Sequence, residues 1–419
     1  MDNNPKNIVS FAGLSHAIVH TYELSIPILV AIWLVDFSVS TALLGAVVSI
    51  GYALFGIGAL PGGLLADRYG SRTLILFCLG GMGLSFVLLS FATGIVTIAI
   101  ALAVWGLAAS VYHPAGLALL STGVENRGTA FAYHGMAGNI GIAFGPLITA
   151  LLLLTLDWRT VTRLLVLPTL IAIGYAAVTE VDETAAVRAN GGTQESDSMS
   201  LGKFIQSSRN LFTVGFVLAM LIVMMNGLFY RGMLTFLPNV LDQFLPPVTA
   251  FVQLFEPGSP MADEFTLSSY LYVGLLTIGI GGQYVGGKLT DTLSPTSGLA
   301  IVFGSLMVVT VAFVPAAKGG LPALLLVSGL LGFLLFALQP LYQATIANNS
   351  PPDGRGLSYG YTYLASFGIG ALGAAISGYL LSVVAINGTF LALALFPTVG
   401  CLFAIALYRR GTSTSTTES

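Results

Sequence analysis

The chain has 419 residues, of which 55% are hydrophobic and only 8% are charged, and its formal net charge is −3. With a mean hydropathy of +0.89, a soluble fold would expose an enormous apolar surface, so the composition excludes a soluble globular protein. The small negative charge also excludes the basic surface typical of nucleic-acid-binding proteins. We therefore expect an all-α integral membrane protein.

Twelve apolar runs are each long enough to cross the hydrocarbon core as a helix, which takes about 20 residues. The first run is too long for the core of a signal peptide, so we expect it to remain as a membrane span. The predicted spans cover residues 8–35, 41–66, 73–91, 95–121, 129–156, 160–178, 211–240, 267–290, 298–314, 321–347, 356–383 and 388–408.

A polar stretch at residues 180–208 separates six spans from six. It is poor in large apolar residues and rich in Glu, Asp, Ser, Gly and Asn, which is typical of a flexible linker. The predicted domains are an N-terminal six-helix bundle at 1–179, a cytoplasmic linker at 180–208 and a C-terminal six-helix bundle at 209–419. Arg127-Gly128 and Arg355-Gly356 open corresponding spans, and such parallel repeats favour a transporter with its site between the halves.

The distribution of basic residues predicts the orientation, because short cytoplasmic loops carry the excess of Lys and Arg. An inside N-terminus leaves Arg159, Arg163 and Lys318 outside and Arg231 within a span. We therefore expect a monomeric, multi-pass protein of a prokaryotic cell membrane with both termini in the cytoplasm. The remaining 11 of the 15 basic residues then face the cytoplasm: Lys6, Arg68, Arg72, Arg127, Arg188, Lys203, Arg209, Lys288, Arg355, Arg409 and Arg410.

All four histidines of the chain fall inside predicted spans, where ionisable groups are costly and mark function. His16, His20 and Glu23 are spaced by four and three residues, which places them along one face of a helix. Desolvation favours a protonated carboxyl group and histidine titrates near neutrality, so this trio can load and release a proton. We predict that it couples transport to protons. The alternative, that these side chains only hydrogen-bond neighbouring helices, stays open.

Other polar side chains within the spans are predicted to line a substrate cavity. Arg231 is the only base inside a span; it could hold an anionic substrate group or neutralise Glu23, or it could snorkel to the outer surface. The predicted cavity residues are Tyr22, His113, Asn226, Tyr230, Arg231, Gln339, Tyr342 and Gln343.

The loop between spans 2 and 3 reads GGLLADRYGSR over residues 62–72. Its first two glycines allow helix backbones to approach closely, its third permits a sharp turn, and its carboxylate can accept bonds from arginines or helix amides. A degraded copy at 287–291 ends in another aspartate. We call the residues expected to make this breakable contact the conformational latch: Gly63, Asp67, Arg68, Gly70, Arg72 and Asp291.

This loop resembles the signature between helices 2 and 3 of the major facilitator superfamily, with Ser71 where the family prefers a base. The resemblance implies twelve helices in two pseudo-symmetric bundles, alternating access, and a cavity lined by helices 1, 4, 7 and 10. The packing motif Gly141-x-x-x-Gly145-Pro146 resembles the helix 5 signature of proton-driven antiporters in the family. The sequence YHPAG at 112–116 is similar to a helix 4 motif of fosmidomycin-resistance-like members.

The expected function is proton-coupled efflux of a small organic or drug-like compound, because the predicted cavity has few charges and many aromatic and apolar residues. The closest alternative is a proton symporter that imports a small organic anion held by Arg231. Divalent-metal transport by His16, His20 and Glu23 lacks a fourth ligand. We recognise no nucleophile and base pair, phosphate loop or nucleotide fingerprint, so we expect no enzyme, no cofactor and no bound metal. Its partners should be a small-molecule substrate, protons and the lipid bilayer, without nucleic acid.

Overall fold

A computed structural model describes residues 3–189, 201–245, 266–350 and 355–417. These residues are overwhelmingly helical and include no β-strand, as expected where lipid cannot satisfy the hydrogen-bonding groups of an exposed backbone. Within them, 11 segments are long and apolar enough to cross a membrane. The one predicted span not among these 11, at residues 267–290, also forms a helix of 26 residues, with Lys288 and Asp291 in its last two turns. The predicted all-α membrane fold is confirmed.

The first half of the chain forms six spans from eight helices, and a short ninth helix follows them. In chain order the helices are α1 Asn4–Asp36, α2 Thr41–Tyr69, α3 Ser71–Ser90, α4 Ile95–Ala109, α5 Tyr112–Gly123, α6 Arg127–Leu153, α7 Trp158–Leu164, α8 Leu167–Val178 and α9 Ala185–Ala189.

The described part of the second half begins with an amphipathic helix and continues through the remaining spans. The helices are α10 Leu201–Leu211, α11 Val214–Leu234, α12 Leu237–Asp242, α13 Leu267–Thr292, α14 Pro295–Lys318, α15 Leu321–Asn348, α16 Arg355–Tyr363, α17 Leu372–Val383, α18 Ile386–Leu393 and α19 Leu395–Thr417. A π-helical segment, Leu364–Ile369, lies between α16 and α17.

Four of the helix interruptions lie four residues before a proline. Proline has no N–H to donate to the carbonyl four residues back, and its ring crowds that carbonyl. Accordingly α4, α7, α11 and α18 end at that position or one residue before it, ahead of Pro114, Pro168, Pro238 and Pro397. Other prolines stay within continuous helices, namely Pro27, Pro61, Pro146, Pro315 and Pro340.

The chain divides into two compact units. Unit 1 comprises Met1–Phe37 and Ile50–Phe204, and unit 2 comprises Ser38–Ser49 and Ile205–Ser419. Within unit 1, α1 packs chiefly along α6, and within unit 2, α13 packs chiefly along α15. The start of α2 groups with unit 2 because Thr41 donates a hydrogen bond to the carbonyl of Gly378 at 2.8 Å. The predicted N-terminal bundle had placed these residues in the first half.

The first residues of the predicted flexible linker are attached to unit 1 by hydrogen bonds. The Asn4 amide donates to the carbonyl of Asp182 at 3.0 Å and accepts from its N–H at 2.7 Å. The carboxylate of Glu183 accepts from the backbone N–H groups of Ser71 at 2.7 Å and Arg72 at 3.2 Å. The polar side chain of Glu183 in the predicted linker thus satisfies backbone N–H groups at the N-terminus of α3. Residues 190–200 lie outside the described part.

Candidate functional site

The four histidines converge within unit 1, although they are far apart in sequence. α1 supplies His16 and His20, α5 supplies His113 and α6 supplies His134. The ring centroid of His16 lies 3.9 Å from that of His134, 4.7 Å from that of His20 and 5.4 Å from that of His113. We call these four residues, with Glu23 and Tyr112, the histidine cluster.

The predicted trio on α1 is connected by hydrogen bonds. His20 stands at the midpoint of the 33-residue helix. Its Nδ1 lies 2.6 Å from Oε2 of Glu23, and its Nε2 lies 3.0 Å from Nε2 of His16. Glu23 is only 1% exposed, so its carboxyl group is removed from water. The spacing of four and three residues therefore brings the three side chains together on one helix face.

Glycines of α6 allow this helix to lie directly against α1. A Cβ built at Gly138 would stand 2.5 Å from Cε1 and 2.7 Å from Nδ1 of the His16 ring. Cβ atoms at Gly141 and Gly145 would collide with the backbone of Ala17 and Thr21. The predicted packing motif, which continues into Pro146, thus lies on the face of α6 that meets α1. Only a residue without a side chain fits beside the His16 imidazole.

The hydrogen bonds of the cluster determine where several protons lie. Nδ1 of His16 stands 2.8 Å from the backbone oxygen of His134, and a carbonyl oxygen can only accept, so this Nδ1 carries a proton. The hydroxyl of Tyr112 donates to the carbonyl of Ala12 at 2.5 Å. Its oxygen must then accept the 3.1 Å bond from Nε2 of His134, which therefore also carries a proton.

Three imidazoles of the cluster approach the geometry of a metal site. Ring nitrogens of His16, His20 and His113 all lie within 4.8 Å of one another, and Glu23 stands beside them. Nitrogen ligands about 2.05 Å from a tetrahedral zinc ion are, however, about 3.3 Å apart. The 3.0 Å separation of the two Nε2 atoms in α1 is that of a hydrogen bond. The arrangement is therefore that of a hydrogen-bonded cluster of side chains.

Tyr22, a predicted cavity residue, lies away from this cluster. Its hydroxyl bonds to Oγ1 of Thr169 on α8 at 2.8 Å, and its ring meets Phe86 of α3 edge-on at 4.1 Å. It is completely buried in the core of unit 1. His113, by contrast, belongs to the cluster, with its ring 5.7 Å from that of His20.

In unit 2, Arg231 is buried among aromatic rings near the end of α11. It is only 3% exposed, and its guanidinium carbon lies 5.3 Å from the ring centroid of Tyr230 and 5.1 Å from that of Phe367. The snorkelling alternative is therefore not what the structure shows. Phe367 was not predicted; it lies in the π-helical segment, which no local sequence signal indicated.

The remaining predicted cavity residues of unit 2 differ in their surroundings. Asn226 is buried, and its Oδ1 accepts no hydrogen bond from any residue in the described ranges. Gln339 accepts a 3.0 Å bond from Gln283, a residue that the sequence analysis did not single out. Tyr342 is partly buried, whereas Gln343 is exposed.

The loop that contains the predicted latch turns at Gly70, whose φ of 83° lies in the left-handed region that favours glycine. Arg72 donates from Nη2 to the carbonyls of Ala176 and Thr179 at the end of α8. Gly63, expected to permit a close helix approach, faces open space, and Gly62 makes that approach instead. The guanidinium of Arg68 lies over the ring of Tyr69. The side chains of Asp67 and Asp291 are outside the described residues.

Comparisons with known proteins agree with this architecture. The family model of the Major Facilitator Superfamily matches residues 10–372. An uncharacterized transporter of this type from Bacillus subtilis (strain 168) is 26% identical over 354 residues, which cover 82% of this chain and 75% of that protein. A probable L-galactonate transporter of Escherichia coli (strain K12) is 26% identical over 334 residues, or 73% and 66% of the two chains.

The fold also resembles a solved transporter structure. The crystal structure of a bacterial homologue of the human lysosomal transporter Spinster, inward-facing and occupied, has a TM-score of 0.74 at 13% identity and covers 98% of both chains. Helices long enough to span a bilayer define a multi-pass membrane protein, and the family match assigns it to membrane transporters. The chain belongs to the Major Facilitator Superfamily. It is accordingly a transporter and not an enzyme.

Proposed function

We propose that this transporter is proton-coupled and exports a small organic or drug-like compound by alternating access. The contact that supports the coupling most strongly is the partly buried 2.6 Å bond between His20 and Glu23. We propose a prokaryotic cell membrane location, and the excess of basic residues in the predicted inner loops supports both termini in the cytoplasm. We further propose a monomer with bundles at 1–179 and 209–419.

The His20 and Glu23 pair suits a proton carrier because one shared proton makes it electrically neutral. An isolated charge is costly in a low-dielectric interior, whether it sits on a carboxylate or on an imidazolium. With the proton shared, the pair has no net charge in either location of the proton. Release of the proton leaves a net negative charge at the middle of α1, and such a change can alter which conformation of the protein is stable.

Export is favoured by the position of the motif that resembles the antiporter signature. Gly141 and Gly145 lie on the same face of α6 as Gly138, which touches the ring of His16. The motif therefore packs directly beside the proposed proton site. A movement of α1 against α6 would displace both the glycine motif and the proposed proton site, because closely packed cores transmit displacement.

Import of a small organic anion with protons is the second candidate. Arg231 is a buried guanidinium within 5.3 Å of two aromatic ring centroids, and its planar fork matches a carboxylate. Similarity to a probable L-galactonate transporter supports a sugar acid as one such anion. Divalent-metal transport is the third, less favoured candidate, because the His16 and His20 nitrogens are at hydrogen-bonding distance.

We further propose that Asp67 and Asp291 act as a conformational latch, together with Arg68 and Arg72 of the first loop. The turn at Gly70 supports it, because its left-handed backbone favours the glycine of the latch sequence. An Asp67→Asn variant should change the transport rate. Transport by this variant at the normal rate would argue against the latch.

Purified protein in liposomes that contain a pH-sensitive dye tests the coupling. The panel should include drug-like cations, organic anions such as a sugar acid, and divalent metals. We expect substrate-dependent proton flux with the wild type and its loss in Glu23→Gln. Glu125→Gln provides the matched control, because Glu125 is an exposed carboxylate of unit 1 outside the histidine cluster. Substrate-dependent proton flux that persists in Glu23→Gln would exclude Glu23 as the proton site.

The same assay separates the substrate candidates. Export predicts flux driven by drug-like compounds, and this flux should survive Arg231→Lys. Import of an organic anion predicts that Arg231→Lys weakens binding of the anion about tenfold or more, because lysine cannot make two parallel bonds to a carboxylate. Flux with divalent metals alone would replace both candidates.

A further inference from the structure

On the premise of the proton site proposed above, we propose that His16 senses whether this site is loaded. Its imidazole is a fixed hydrogen-bond acceptor, and its bond to Nε2 of His20 exists only while the His20 and Glu23 pair holds the shared proton. His16, His134 and Tyr112 are then positioning residues that report proton loading to α6. These roles follow from the donors and acceptors that the hydrogen bonds among His134, His16, His20 and Glu23 require.

The hydrogen bond from His16 to the backbone of His134 determines the tautomer of His16. Its Nδ1 must donate to the carbonyl of His134, so in the neutral ring the Nε2 atom has only a lone pair. This lone pair faces His20 at 3.0 Å. Gly138 makes the arrangement possible, because a Cβ there would displace the Nδ1 side of the ring. His16 is therefore held as an acceptor towards His20.

His134 is itself held in place by Tyr112 and by the ring of His16. Its ring lies parallel to that of His16 at 3.9 Å, and its Nε2–H donates to Tyr112. The hydroxyl proton of Tyr112 is committed to the carbonyl of Ala12. This chain of bonds holds the His134 residue, and hence its backbone carbonyl, in a fixed position. A positive charge on His16 would be opposed wherever its stacked neighbour also carried one.

The loaded site needs three protons, one for each of its hydrogen bonds. The bonds from His134 to His16, from His16 to His20 and from His20 to Glu23 each require one proton. With one proton in each bond, the two imidazoles and the carboxyl group together carry no net charge. The geometry in the structure is therefore that of the loaded site. The third proton is taken up from water on loading and is returned to water on release.

Release of one proton from the His20 and Glu23 pair changes the contact between His20 and His16. The two protons left are the one on Nδ1 of His16 and one on His20. Attraction to the ionised Glu23 keeps the His20 proton on its Nδ1, 2.6 Å from the carboxylate. The two Nε2 atoms would then face each other as lone pairs at 3.0 Å, so His20 must move away from His16. Unloading therefore breaks the contact between these two residues.

The titratable groups around His16 and His20 come from three helices of unit 1. Glu23 of α1 and His113 of α5 contact His20, while Tyr112 and His113 of α5 and His134 of α6 contact His16. The helices α3 and α8 meet α1 at Tyr22, through Phe86 and Thr169. Protonation of His113 would raise the positive charge around His20 and oppose loading, so His113 is the neighbour to control in any titration.

Nitrogen-15 NMR of histidine-labelled protein in detergent tests the inference without any transport assay. Single histidine variants assign the four rings. We expect His16 to be protonated at Nδ1 only, with a scalar coupling between the two Nε2 atoms at low pH that disappears as the pH rises. In Glu23→Gln, a neutral amide can donate permanently to Nδ1 of His20, so the coupling should persist at every pH. Glu125→Gln should titrate like the wild type.

Two substitutions of His16 test its role as an acceptor. His16→Gln keeps an acceptor oxygen near the position of Nε2, whereas His16→Leu has none. A lost hydrogen bond to a charged partner should weaken proton affinity about tenfold, so His16→Leu should move the pH midpoint of His20 about one unit lower. His16→Gln should restore the wild-type midpoint.

The outcomes separate this inference from the proposed function. A His16 ring protonated at Nε2 alone, or a coupling that survives Glu23 ionisation, overturns the sensor role even where proton-coupled transport is demonstrated. A titration as expected, with no substrate-dependent proton flux in liposomes, leaves the sensor geometry standing and refutes the coupling to transport. Equal midpoints for His16→Leu and the wild type would also overturn it.

Discussion

The imidazole rings of His16 and His134 lie parallel, with their centroids 3.9 Å apart and 12° between their planes. The same two residues are joined by a 2.8 Å hydrogen bond from the first ring to the backbone carbonyl of the second. His134 therefore supports His16 both through its backbone carbonyl and through its ring. The arrangement depends on the close approach of α1 and α6, and it leads directly to the first prediction.

Gly138→Ala should displace the His16 ring. The added Cβ would lie 2.5 Å from its Cε1, and overpacking of this kind costs about 1–3 kcal/mol. We expect a lower thermal unfolding temperature and loss of the Nε2 to Nε2 coupling. Gly135→Ala is the control on the same helix, because a Cβ there meets nothing within 4 Å. Equal stability of the two variants would show that the ring can shift freely.

Tyr112→Phe should destabilise unit 1. It leaves the carbonyl of Ala12 and Nε2–H of His134 without the hydroxyl that now joins them. An unsatisfied buried group costs about 1–3 kcal/mol, which thermal unfolding in detergent can measure. Tyr133→Phe is the matched control, because Tyr133 is 57% exposed. A loss confined to Tyr133→Phe would contradict the prediction.

Glu183→Gln should weaken the attachment of the early linker residues to the N-terminus of α3. Its carboxylate accepts from the N–H groups of Ser71 and Arg72, where a negative charge is favoured by the helix dipole. We expect a loss of about 1 kcal/mol and faster proteolysis near this segment. Glu180→Gln is the control, since Glu180 is exposed and bonds to Asn7 only through its backbone carbonyl. Identical proteolysis of both variants would refute this role.

Asp157→Ala should destabilise the protein at neutral pH but not in acid. The hydroxyl of Thr160 donates to the Asp157 carboxylate at 2.6 Å, and this bond, with the N–H groups of Thr160 and Arg159, lowers the pKa of Asp157 below its ordinary value. A lowered pKa in the folded state means that the stabilisation is complete above the unfolded pKa of about 3.9 and disappears as the pH falls through the folded value.

Thermal unfolding at pH 7 and at about pH 3 measures this dependence, with an expected difference of about 1 kcal/mol at pH 7 for the loss of a helix cap. Asp157→Asn is the control, because asparagine caps helices nearly as well without a charge. A deficit of Asp157→Ala that stays constant in acid would show that the carboxylate charge contributes nothing.

Local chemistry alone determined the membrane spans, several of their interruptions and the line of His16, His20 and Glu23 along one helix. Hydropathy over about 20 residues, the missing N–H of proline and the 3.6-residue period act within one segment. The break before Pro114 is therefore readable from the sequence in retrospect, whereas Pro340 lies in a continuous helix because neighbouring groups decide whether a helix tolerates a proline.

Contacts between distant segments were not predictable in this way: His113 and His134 join that trio, Tyr22 points away from it, and Arg231 lies against Phe367. Helices apolar around most of their circumference show no clear stripe to indicate which face meets which neighbour. Rotation and close approach are set by small residues on the partner helix, as Gly138 shows beside His16. Residues within one segment therefore predict which polar groups lie in the spans, whereas the packing of distant helices brings His113 and His134 beside them.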